Sequence, residues 1–77
     1  MELIKNIERG IVNRAKEITQ MIEDINKEMV SLEEKKQGRI NVHELNEINN
    51  QLILLKELKD DLVQEILHLG KTYRNII

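Results

Sequence analysis

A chain of 77 residues holds one small domain at most, and its make-up, 40% apolar and 34% charged with no Pro, three Gly and a single aromatic residue (Tyr73), is that of a helix former. Sandwich, barrel and Rossmann-type folds are excluded by this composition, and the absence of cysteine excludes a disulfide framework and a thiolate zinc site. Twelve Lys and Arg against fourteen Asp and Glu leave a formal net charge of -2, the mark of neither a nucleic-acid-coating protein nor an acidic mimic of nucleic acid.

Through the first arm Ile4, Ile11, Ile18, Ile25 and Leu32 recur at an unbroken spacing of seven, with Ile7 and Met21 to one side and Ala15, Ile22 and Met29 to the other. At about 100° per residue these positions fill an arc of about 120°, the face of a helix packed on one side. Lys5, Arg9, Lys16, Glu23, Lys27 and Glu34 point away from it. The segment Glu33-Glu34-Lys35-Lys36-Gln37-Gly38 then puts cations in a last helical turn and a Gly just past it, which predicts a helix stop with Gly38 in the left-handed conformation.

Asn41-Val42-His43-Glu44 predicts a restart three residues later. Asn41 caps, Glu44 reaches back to it, and Ile40 and Leu45 are placed as a hydrophobic staple. In the second arm Leu45, Ile48, Leu52, Leu55, Leu62, Ile66, Leu69, Tyr73 and Ile76 repeat at spacings of three and four, interrupted where Lys59 takes a seam position. Ile53, Val63 and Leu67 lie to one side of this stripe and Leu54 and Leu58 to the other, so the apolar arc exceeds about 200°, more than one seam hides.

The expected fold is therefore all-α: one helical-hairpin domain over 1–77, with helices at about 3–37 and 42–76 and a turn at 38–41. In an antiparallel, coiled-coil-like register, Arg14 stands opposite Glu65, Ile4 by Asn75 and Ile76, and Ile25 by Leu54 and Leu55. Gly70 marks a place where the second helix is expected to fray or bend, since Gly costs a helix interior about 1 kcal/mol relative to Ala. A lone two-helix core of this size is thin, which predicts a homodimer closing a four-helix bundle.

Several chemistries are set aside on the residues. Gly38-Arg39-Ile40-Asn41-Val42-His43-Glu44-Leu45 resembles the second half of an EF-hand calcium loop, but the upstream ligand positions would be Glu33, Lys35 and Gln37, and Lys35 would carry a cation into a cation site. Glu65-Ile66-Leu67-His68 has the Glu-x-x-His spacing of a di-iron bundle, yet its inward direction belongs to Ile66 and Leu69. One Ser, two Thr, two His and no Cys assemble no nucleophile, base and orienter, and there is no Gly-rich phosphate loop. No enzyme activity, cofactor, metal or small-molecule substrate is expected.

What remains is helical surface, and the expected work is binding another protein, as an adaptor or inhibitor. Ile53, Leu54, Leu58, Val63 and Leu67 are the candidate dimer or partner interface. The alternative is an RNA- or DNA-binding dimer that uses a basic outer face of Lys5, Arg9, Lys16, Lys71 and Arg74, as dimeric two-helix hairpins of the plasmid copy-number type do; that is a likeness of architecture only. The start carries no secretory apolar run, and the longest apolar stretch, residues 52–55, is far short of the roughly 20 that cross a bilayer, so a cytoplasmic protein without membrane contact is expected. Heavy use of Ile, Asn and Lys suits the AT-rich coding of a bacterium, phage or mobile element.

Overall fold

The computed structural model describes residues 2–76, apart from the side chains of Glu2 and Ile76, and shows two helices: α1 at Glu2–Lys36 and α2 at Val42–Ile76. They pack side by side as an antiparallel hairpin, a rod of 60 × 14 × 12 Å. No helix is long and apolar enough to cross a membrane.

The turn differs in detail from the sequence expectation. α1 stops through two short-range bonds, Gln37 N–H donating to the Glu34 carbonyl at 3.1 Å and Gly38 N–H to the Lys35 carbonyl at 3.2 Å. These i to i−3 bonds tighten the last turn and satisfy two carbonyls that would otherwise be orphaned. No left-handed residue is then required, and Gly38 is not one, contrary to the expected stop. α2 starts from Asn41, whose side-chain oxygen accepts the Glu44 N–H at 2.8 Å while its carbonyl accepts the Leu45 N–H at 3.0 Å. Glu44 does reach back, but its carboxylate meets the Asn41 side-chain amide at 3.4 Å and leaves the backbone N–H of Asn41 alone.

The core is a single seam. Ile18, Ile25, Leu32, Ile48 and Leu62 are the buried apolar residues among those described, with Ile22, Met29, Leu55, Ile66 and Leu69 packed against the central cluster. The spacing of seven along α1 keeps one stripe facing α2 from Ile11 to Leu32, while Ile4, expected on the same stripe, is 41% exposed. Its second row consists of Ala15, Ile22 and Met29, all half-buried, whereas Ile7 and Met21 stay 43% and 46% exposed. Leu55 turns toward Ile25 as expected; Leu54 turns out to solvent. Lys59 is half-buried at its seam position. The seam position expected for Ile76 lies outside the described side chains. α2 runs unbroken through Gly70, with no fraying there.

So thin a seam hides little. The chain exposes 6275 Å², whereas a compact monomer of 9.1 kDa would expose about 4,900 Å². A rod made of two helices leaves both of its broad sides open, and those sides carry the candidate sites.

Candidate interaction faces

Each broad side is built from the residues that flank the seam on both helices. In α1, Val12, Thr19 and Asn26 follow the half-buried Ile11 and the buried Ile18 and Ile25 by one position and lie on one side, with Arg9, Lys16 and Val30 at its edge. In α2 the same side takes Lys56, Val63 and Gly70, edged by Ile53, Asp60, Leu67 and Arg74. A shallow groove bounded by Val12, Ala15, Gly70 and Tyr73 joins the two helices on this side, here called the Val face.

The opposite side is organised by Arg14, which reaches from α1 to α2. Its Nη2 donates to both carboxylate oxygens of Glu65 at 2.9 and 3.1 Å, its Nε to Oε1 at 3.1 Å, and its Nη1 to Glu17 at 3.1 Å. Hydrogen bonds to Glu65 first, and to Glu17 second, raise the Arg14 pKa above its ordinary value, so the guanidinium is held charged. Met21, Leu54 and Leu58 lie along this Arg14 face, with a shallow groove between Glu28 and Leu54. Seven residues on from Arg14 and seven back from Glu65, Met21 stands level with Leu58.

The five candidate interface residues therefore do not form one patch. Ile53, Val63 and Leu67 belong to the Val face and Leu54 and Leu58 to the Arg14 face, with Ile53, Leu54 and Leu67 each more than half exposed and Val63 half-buried. Sequence reasoning missed their neighbours Met21, Val12 and Val30, which it gave to a helix interior or left unassigned. The signal was available, because all three lie beside the flanking apolar positions of α2 once the register is set.

Charge also divides between the sides. The Arg14 face bears Glu17, Asp24, Glu28, Glu44, Glu47, Asp61 and Glu65 against Arg14 and Lys35, an acidic surround to an apolar centre. The Val face bears Lys5, Arg9, Lys16, Lys56 and Arg74 against Glu23, Glu33 and Asp60. Of the proposed basic cluster, Lys5, Arg9, Lys16 and Arg74 are exposed and share the terminal half of this face, while Lys71 falls on the outer back of α2.

Glu65 is occupied by Arg14, and His68 is exposed. His43 meets Glu47 at 3.1 Å as an exposed neighbouring pair, and among the described residues no group of three His, Asp or Glu side chains converges on a metal position. No family model, curated protein or solved structure matches this chain.

Proposed function

We propose that this hairpin is a non-catalytic protein-interaction module, an adaptor or inhibitor of the cytoplasm, that works as a homodimer of four helices and grips a partner protein through helical surface. The observation that carries the reading is the Arg14 face: Leu54 and Leu58, one helical turn apart and 65% and 49% exposed, lie beside Met21 with no cover from the chain itself. Contiguous exposed apolar groups rimmed by charge are characteristic of interaction sites rather than of inert surface. The acidic surround suits an amphipathic helix that brings apolar anchors and a cationic rim, with the anchors setting affinity and the rim setting selectivity.

The test is capture from an extract of the native source, half of it nuclease-treated, with the tagged chain and with Leu54→Asp/Leu58→Asp. The reading predicts a stoichiometric protein band that survives nuclease and is lost with the double variant. Both positions are exposed, so circular dichroism should show unchanged helix. Bands that disappear on nuclease treatment, with nucleic acid recovered and lost on Lys5→Ala/Arg9→Ala/Lys16→Ala, would replace this reading with binding of RNA or DNA by the basic end of the Val face.

A further inference from the structure

We infer that the Val face is where a second copy of this chain docks, the two copies being related by a twofold axis that crosses the face at right angles to the helices, level with Met21 and Leu58. This deepens the homodimer reading above and rests on it. Such an axis lays α2 antiparallel on α2 of the second copy and α1 antiparallel on its α1.

The face is self-complementary about that axis. Along α2 the spacing of Ile53, Lys56, Asp60 and Val63 is the same in both directions, so Ile53 meets Val63 of the second copy and Lys56 meets its Asp60, each pair occurring twice. Along α1 the same axis brings Arg9 to Glu33 of the second copy and Val12 to its Val30, again twice. The two helices agree on one axis because the register that joins Arg14 to Glu65 holds Met21 level with Leu58. Neither helix was needed to place the axis on the other.

Competing arrangements fare worse. Moving the axis half a heptad toward the chain termini sets Lys56 on Leu67 and Asp60 on Val63, charge against apolar surface. On the Arg14 face, the register that sets Leu54 on Leu58 also sets Glu47 against Glu65. Opposed like charges are repulsive, and this pair occurs twice in one dimer. Size is adequate too: the side measures 60 by 14 Å, of the order of the roughly 800 Å² per partner that a specific interface buries.

Lys56 and Asp60 are available for the contact. Both are exposed, and among the described residues neither takes part in an ion pair within the hairpin. Lys placed four residues before Asp is also the weaker order for pairing along one helix.

The experiment is sedimentation equilibrium on the full chain and on three variants, Lys56→Asp, Asp60→Lys and the double swap Lys56→Asp/Asp60→Lys. Neither position touches the seam, and circular dichroism checks that helix content is unchanged. Each single variant sets like charges together twice per dimer, so its dimer dissociation constant is expected to rise about tenfold or more. The double swap should recover the parent value. An equimolar mixture of the two single variants should form the heterodimer in preference to either homodimer, an effect that charge changes confined to one helix do not produce. A dimeric parent whose affinity ignores all three variants overturns the Val-face assignment and leaves the homodimer reading standing. A monomeric parent at every concentration overturns both.

Discussion

Arg14 and Glu65, 51 residues apart in the chain, meet as a two-pronged ion pair that ties α1 to α2 on one side of the hairpin. The pair marks the register, in which Met21 also stands level with Leu58. Its two side chains are 41% and 39% exposed, so solvent and salt reach it.

A double-mutant cycle with Arg14→Ala and Glu65→Ala should therefore give a favourable coupling that shrinks as ionic strength rises; zero coupling at low salt would remove the pair from the energetics. The pH dependence has a definite sign. Because the Arg14 pKa is raised on folding, the folded chain holds this proton more tightly, and the contribution is complete from neutral pH up to the ordinary arginine value. On the alkaline side it is lost only as pH rises through the still higher folded value. Urea midpoints at neutral and mildly alkaline pH should then show no loss traceable to Arg14.

Ile18 is fully buried at the centre of the seam. Ile18→Ala should cost about 3 kcal/mol in urea unfolding at fixed chain concentration, the transfer term plus a cavity that two straight helices close poorly. Val42→Ala, at a position 73% exposed, should stay within about 0.5 kcal/mol of the parent. Equal effects at the two sites would mean that the seam is not where the stability resides.

The turn offers a contrast between neighbours. Asn41→Ala removes the acceptor of the Glu44 N–H and should destabilise by about 1 kcal/mol, while Asn41→Asp should retain most of the cap. Gly38→Ala should be nearly neutral, because Gly38 does not have a positive φ and an added methyl would make only ordinary contact with the Lys35 carbonyl, at 3.5 Å. A large loss at Gly38 would point to a left-handed stop after all.

Gly10 and Gly70 lie inside α1 and α2 with nothing within 4 Å of a Cβ built on either. Gly10→Ala should stabilise by up to about 1 kcal/mol, through helix propensity alone. In a chain of this size that raises the thermal midpoint by about 4 to 8 °C. Gly70→Ala should act in the same direction, and because Gly70 borders the Val face, comparing the two variants at low and high concentration separates helix propensity from association.

Much of this was legible before any fold was built. The spacing of seven in α1, the cap at Asn41 and the short connection between the helices required a hairpin, because each is a local signal and all agree. The pairing of Arg14 with Glu65 followed from chain geometry alone once the turn was placed. What periodicity left open was the rotation of each helix about its own axis. An apolar arc about 120° wide has two edges, and either can face the neighbouring helix.

Tertiary packing made that choice. It drew Ala15, Ile22 and Met29 into the seam and left Ile7 and Met21 outside, which placed Met21 beside Leu58. It sent Leu54 outward while Leu55 turned in, and it closed the last turn of α1 without a left-handed glycine. The amino-acid order alone determined that two helices would form, where they would start and stop, and which residues would stand level. Which broad side each flanking residue joined was decided only when the helices met, because the angle between them and the fit of their side chains set the rotation of each.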